Sequence, residues 1–281
     1  MKRYEEVLHR GYAQSFEVKE IIFQEKTEHQ DLVIFDTPTF GRVMALDNII
    51  QVTTRDEYAY HEMMTHVPIL AKGDAVKVLI IGGGDGGILR EVLRHQAIKH
   101  ATMVEIDRTV VDLCTQYFPE LSDGAFDDER TNLIIADGVK FVAETDQRFD
   151  VIIVDSTDPI GPGEVLFSES FYASCHRCLT YGGVLVTQNG VPFFQGDEVS
   201  TTYRRMGQSF KDNGFYTTVV PTYCGGIMTL GWGTDDADLR NVDVETLRTR
   251  FAAANISTRY YTPDMHRAAF ALPQFILDLI K

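Results

Sequence analysis

From Val76 onward, short apolar runs alternate with amphipathic ones, and no other feature of the chain narrows its fold so far. VKVLIIG (76–82), HATMVEID (100–107), TNLIIAD (131–137), FDVIIVD (149–155) and GGVLVTQN (182–189) are rich in Val, Ile and Leu, as expected of parallel strands covered on both faces. ILREVLRH, TVVDLCTQYF, GVKFVAET and SESFYASCHRCL lie between them with helical spacing of their apolar residues. This repeat implies an α/β fold built on a Rossmann-like, doubly wound sheet. FYTTVVPTYCG and MTLGWGTD read as late strands, VETLRTRFAAA as a helix, and ALPQFILDLIK as a closing segment.

The first fifty residues have a different pattern. FEVKEIIF, DLVIF, GRVMAL and IIQVT are short β-rich runs parted by EKTEHQ, DTPTF and DN, which predicts a small antiparallel cap. At Asp56 the period changes. DEYAYHEMMTHVPIL has helical spacing and is expected to stop near Pro68. The chain therefore divides into an N-terminal β domain, residues 1–55, and a Rossmann-like catalytic domain, residues 56–281.

In such sheets ligands bind beyond the carboxyl ends of the strands. Here those ends carry Gly82 to Gly87, Glu105 and Asp107, Asp137, Asp155 to Asp158, and Gln188. Carboxylates converging on one crevice point to a ligand rich in hydroxyls, amines or positive charge. Forty-one acidic residues against 26 basic ones, a net charge of −15, tolerate or attract a cationic ligand, although taken alone this acidity reads first as a means of keeping a cytosolic protein soluble. They exclude nucleic acid and anionic membrane as partners, because each phosphate contact needs Lys or Arg.

Gly82, Gly84 and Gly87 satisfy G-x-G-x-x-G between a strand and a helix, with Glu105 at the next strand end. Asp85 inside that loop would repel a pyrophosphate, which argues against a dinucleotide. A nucleoside without phosphate fits better. Glu105 can accept both hydroxyls of a ribose, Asp137 can accept from an adenine amino group, and the Gly138 N–H can face a ring nitrogen. This is the S-adenosylmethionine mode of a methyltransferase-type fold. Asp85 favours the decarboxylated form, which ends in an ammonium, over the carboxylated one. An equal alternative makes Asp85 a turn residue capping the next helix.

DSTDPIGPGE ends a buried strand with Asp155 and Asp158, followed by a Pro/Gly-rich loop able to cover a ligand. The pair alone could also be an Asx-type turn. In order and spacing, GGGDGG, MVEID, DSTDPIGPGE, YHEMMTHVPIL and PTYCGGIMTLGW resemble the blocks of the spermidine synthase family, close to its bacterial type, over nearly the whole chain. The resemblance implies aminopropyl transfer from decarboxylated S-adenosylmethionine, a co-substrate, to putrescine, giving spermidine and methylthioadenosine. It implies no metal and no redox cofactor, and a homodimer or homotetramer.

By resemblance Asp155 is the general base and Asp158 holds the diamine near its attacking end. Tyr60, His61 and Tyr223 line the diamine channel, with Gln51 as a further contact and Asp85 facing both substrates. Gln30 and Leu46 are nucleoside-side contacts from the β cap, Gly82 and Gly84 belong to the glycine loop beside the donor, and Pro162 is a contact from the covering loop. The chain departs from the family in two places. His61 stands where many relatives have Gln, and TQNGV, with Asn189 and Gly190, lacks the acid that some relatives place near the distal amine. Rival readings are an aminopropyltransferase for cadaverine, agmatine or spermidine, a methyltransferase, and a non-catalytic nucleoside-binding module.

Other motifs carry less. His61 and His66 in HEMMTH are five apart and diverge around a helix, which speaks against shared metal ligation. Cys175 and Cys178 form a lone C-x-x-C read as packing, and Trp232 reads as core. MKRYEEVLHRGY is charged and lacks a signal-peptide core. No apolar run suits a membrane span, and four cysteines do not make a disulfide scaffold. A cytoplasmic protein is expected.

Overall fold

The structure, a computed structural model, describes residues 2–26, 31–156 and 161–281, with the backbone alone for 161–163. A hairpin of β1 (Lys2–His9) and β2 (Tyr12–Val18) opens the chain. β3 (Glu20–Lys26), β4 (Asp31–Thr37), β5 (Gly41–Leu46) and β6 (Ile49–Thr53) then form a four-stranded antiparallel sheet in chain order. β1 lies outside the strands expected from the sequence. Its one buried residue is Glu6, so it has no apolar alternation to read. The run FEVKEIIF breaks after Val18 and contributes to two strands.

Helix α1 (Tyr58–Lys72) continues through Pro68 and ends at Gly73, whose N–H bonds the Ile69 carbonyl at 2.9 Å. The stop expected near Pro68 is thus displaced by about a turn. An interior proline costs ~3 kcal/mol through the lost hydrogen bond and ring clash. Every residue from Ala59 to Ala71 is buried, and burying two or three large apolar side chains at ~1.5–3 kcal/mol each offsets that cost.

The chain continues with β7 (Lys77–Gly82), α2 (Gly87–Arg94), β8 (His100–Glu105), α3 (Arg108–Tyr117), α4 (Pro119–Ser122), β9 (Thr131–Ile135), α5 (Gly138–Glu144), β10 (Phe149–Asp155), α6 (Glu169–Arg177), β11 (Leu179–Gln188), α7 (Gly196–Met206), β12 (Asp212–Val219), β13 (Ile227–Thr234), α8 (Val244–Ala254), α9 (Pro263–Ala269) and α10 (Gln274–Leu279). Strands and helices alternate as expected up to Gln188; α4, α7 and α9 go beyond the helices read from the sequence. The strands form one seven-stranded sheet in the order β12-β13-β11-β10-β7-β8-β9. β11, β10, β7, β8 and β9 pair in parallel, and β13 and β12 add antiparallel strands. Strand order reverses between β7 and β10, so the crevice of a doubly wound sheet opens beyond their carboxyl ends.

Both sheet faces are buried. Val78, Ile80, Val151 and Ile153 pack against α1, α2 and α8 on one side, together with Trp232. Leu79, Ile81, Ile152 and Val154 pack against α5, α6 and α7 on the other, where Cys175 and Cys178 are core residues. In the cap, Leu32, Ile34, Met44 and Val52 lie on Val110, Leu113 and Cys114 of α3. The opposite face is covered by Phe16 and Val18 of β2. The cap is thereby held over the crevice. Among the described residues no helix is long and apolar enough to cross a membrane.

Candidate active site

A cavity of about 420 Å³ lies at the ends of β7, β8 and β10, under the cap strands, within the size range of sites for small organic ligands. Gly82, Gly84, Asp85, Glu105, Asp137, Gly138 and Asp155 line its floor along the strand ends. Leu46, Gln51, Tyr60, His61 and Tyr223 line the rest. Gln30 and Asp158 fall outside the described residues, as does the side chain of Pro162.

The floor is set by one rung of the sheet. Asp155 pairs with Gly82 across β10 and β7, which brings the strand-end acid beside the glycine loop. A Cβ on Gly82 would lie 1.9 Å from the Asp155 carbonyl oxygen, and its φ is +81°, so only glycine serves there. The Tyr60 hydroxyl donates to Asp155 Oδ1 at 2.6 Å. Burial, then the charge of Asp85, lifts the Asp155 carboxyl to about 6, against the Tyr60 bond and the charge of His61. Tyr60 is raised well above its ordinary range by burial and by Asp155, so it is a hydrogen-bond donor throughout the physiological pH range. Its ring meets Tyr223 edge-on, centroids 6.4 Å apart. The Tyr223 hydroxyl donates to the Gln51 carbonyl, joining the channel wall to β6.

Asp85 opens the next helix, as one of its two readings has it, and it also borders the cavity. Its Oδ1 accepts from the Gly87 N–H at 2.8 Å, opening α2. Its Oδ2 lies 3.2 Å from His61 Nε2 and the residue borders the cavity. Burial opposes ionisation, but His61 and the Gly87 N–H outweigh it and hold Asp85 below the ordinary carboxyl range. A Cβ on Gly87 would fall 2.2 Å from the His61 ring, so this glycine lets helix α1 bring its histidine onto the loop.

Glu105 Oε1 accepts from the Asp107 N–H at 2.9 Å. Burial lifts its carboxyl to about 7, against the Asp107 and Ile106 amides. Hydroxyl donors from a ligand would favour its ionised form. Asp137 caps α5 through Oδ1, accepting from Val139 N at 2.8 Å. His61 and His66 have separate partners, as their spacing suggests. His66 meets His95 at 2.9 Å and Glu91 at 3.0 Å.

Glu6, Asp47, Asp56 and Glu57 also line the cavity and escape the sequence reading. Glu57 sits one helical turn before His61 on α1, with its Oε2 2.7 Å from His61 Nδ1; the i,i+4 spacing is the signal that could have revealed it. Glu6 reaches the lining from β1, where its carboxylate accepts from Ile50 N at 2.7 Å and from the Gln14 amide. No local pattern announces a residue paired 44 positions away. Asp56 and Gln14 tie the cap to the far wall. Asp56 accepts from Thr222 N and Oγ1 at 2.9 and 2.8 Å, and Gln14 donates to the Thr222 carbonyl at 2.7 Å.

Residues 57–244 match the family model described as the spermine/spermidine synthase domain, and residues 4–54 the one described as the spermidine synthase tetramerisation domain. The chain is 58% identical over 281 residues to the polyamine aminopropyltransferase of Pseudomonas syringae pv. tomato, covering 100% of this chain and 98% of that one. It is 59% identical over 280 residues to polyamine aminopropyltransferase 1 of Pseudomonas aeruginosa, with the same coverage. Among solved structures it resembles a spermidine synthase in complex with the transition-state analogue AdoDATO, with a TM-score of 0.94, 35% identity, and coverage of 99% of this chain and 94% of that one. The spermidine synthase of Thermotoga maritima gives a TM-score of 0.91 and 34% identity at the same coverage.

Proposed function

The chain belongs to the spermine/spermidine synthase family and is a polyamine aminopropyltransferase, and from that premise we propose that it is a spermidine synthase that uses putrescine as acceptor and Asp155 as general base. The donor is decarboxylated S-adenosylmethionine. The acceptor nitrogen attacks the methylene next to the sulfonium. A C–N bond forms, the C–S bond breaks, its electron pair stays on sulfur, and neutral methylthioadenosine leaves. The proton lost by the acceptor nitrogen passes to Asp155. The leaving group is already activated as a sulfonium, so the step calls for no metal or redox cofactor.

The observation that carries this reading is the half-buried Asp155 carboxyl at the cavity floor, lifted to about 6 and held by Tyr60 through one oxygen. An alkylammonium has a pKa of about 10.4, so raising its proton acceptor by about two units narrows the transfer by ~3 kcal/mol. Alignment of the two substrates inside the cavity supplies further acceleration. Asp85 would receive the donor's ammonium, Glu105 its ribose, and Asp137 with Gly138 its adenine. Asp158 would hold the attacking end of the diamine. Glu6 would face the distal ammonium, supplying from β1 the acid that Asn189 and Gly190 lack. Residues 4–54 support a homo-oligomer, a dimer or tetramer, which light scattering after gel filtration would determine.

Purified protein given decarboxylated S-adenosylmethionine should release methylthioadenosine with putrescine at a higher kcat/KM than with cadaverine, agmatine or spermidine. A different preferred amine would overturn the acceptor assignment. Absence of methylthioadenosine with every amine would overturn the activity itself.

A further inference from the structure

His61 is enclosed by acids. Its Nδ1 lies 2.7 Å from Glu57 Oε2 and its Nε2 3.2 Å from Asp85 Oδ2. Ionised carboxylates only accept hydrogen bonds, and a neutral imidazole has a single N–H. A neutral His61 would therefore point a lone pair at one of the two oxygens. Only the doubly protonated ring satisfies both contacts. Behind it, Arg90 Nη2 donates to the same Glu57 oxygen at 2.9 Å, while Arg90 Nε donates to Glu91 Oε1 at 2.9 Å. A row of alternating charge thus runs from α2 to the cavity through Arg90, Glu57, His61 and Asp85. The side chains of Glu57 and His61 are 8% and 3% exposed, so water screens the row little.

We propose that Glu57, braced by Arg90, is a positioning residue that holds His61 as an imidazolium, and that this buried cation keeps the two cavity acids Asp85 and Asp155 ionised together. Two carboxylates in one dry pocket drive each other toward the protonated form unless a cation compensates them. The groups facing His61 are Glu57 and Tyr60 from α1, Asp85 from the glycine loop, Arg90 from α2, and Asp155 from β10. Among these, His61 and Arg90 are the cations, and Arg90 is already engaged by Glu57 and Glu91. Asp155 feels Asp85 as a charge that opposes its ionisation and His61 as one that favours it. Burial alone would deprotonate His61, but Asp85 and Glu57 together lift it to about 10. The inference rests on Asp155 being the base proposed above.

The test is the pH profile of kcat/KM in Glu57→Gln. If Glu57 sets the charge of His61, the variant's His61 loses its proton, Asp155 loses the cation that favours its ionisation, and the acid limb moves up by on the order of one pH unit. If His61 stays charged without Glu57, removing a negative charge moves that limb down. A limb that moves down or stays in place overturns the proposal. A loss of activity equal at every pH marks a merely structural role and also overturns it. Nitrogen NMR of the wild-type ring, assigned with His61→Gln, provides a second reading should Glu57→Gln not fold. Both ring nitrogens should show imidazolium shifts at pH 8, and a neutral ring there would overturn the proposal. Failure of the base assignment looks different: Asp155→Asn would retain turnover, whatever the state of His61.

Discussion

Removing one oxygen from Tyr60 should change how turnover depends on pH while leaving its plateau nearly intact. Tyr60→Phe keeps the ring that meets Tyr223 edge-on but deletes the 2.6 Å donor to Asp155 Oδ1. That hydrogen bond favours the carboxylate, and bonds to charged groups contribute ~1.5–3 kcal/mol. Taking the lower figure, Asp155 would rise by about one unit, from about 6 to about 7. Its ionised fraction would then fall about fivefold at pH 6, about twofold at pH 7, and hardly at all at pH 9. The assay is methylthioadenosine release at limiting acceptor across pH 5.5 to 9.5 (a range spanning both values by about two units or more at the alkaline end). A deficit of equal size at every pH would refute the reasoning, reducing Tyr60 to a wall of the channel.

Asp155→Asn should lower kcat by roughly 10²-fold or more and yet stabilise the fold at alkaline pH. The folded state binds the Asp155 proton more tightly than the unfolded chain, with values of about 6 and 3.8. Stability is therefore lost as pH rises from about 4 to 6, and the deficit persists above that; neutral Asn should recover up to ~3 kcal/mol at pH 8 and little at pH 4, read as melting temperature. A lower melting temperature at pH 8 would contradict this sign. Gly82→Ala should cost about 2–5 kcal/mol in urea unfolding, from positive φ plus overlap with the Asp155 carbonyl, and wild-type stability would disprove the close approach. Glu6→Gln should raise the KM for putrescine about tenfold while leaving that for the donor unchanged; an unchanged putrescine KM would remove Glu6 from the acceptor site.

The legible parts of this molecule are those in which local pattern and tertiary role coincide. β7, β8, β10 and β11 are buried on both faces along most of their length, so their apolar runs show in the sequence, whereas β9 at the sheet edge is only partly buried; the carboxylates at the strand ends mark the crevice. β1 is illegible because its buried residue is an acid. Pro68 misleads because a stop signal acts on an isolated helix, whereas α1 is packed on all sides. For Asp85 the capping role is legible, since one oxygen accepts from Gly87, but the contact of the other oxygen with His61 is not, because it joins residues 24 positions apart. The offset of its charge by His61, and of His61 by Glu57, depends on α1, α2 and the glycine loop meeting in space. Glu6 enters the lining through pairing with Ile50, a contact fixed by the cap and by nothing near it in the chain.

The pairing of Asp155 with Gly82 has a further consequence. The acid and the glycine loop are fastened to one rung of a parallel ladder whose neighbours, from Val151 to Val154, are also in register with β7. A slip of one residue would turn Asp155 to the opposite face of the sheet. The cap, by contrast, meets the cavity through side chains on a separately hydrogen-bonded sheet and hairpin. The chain therefore has a stiff bench and an exchangeable jaw. Substitutions in the jaw can reshape the cavity, while the spacing of Asp155 from the glycine loop stays locked by backbone that no side-chain change in the cap can reach.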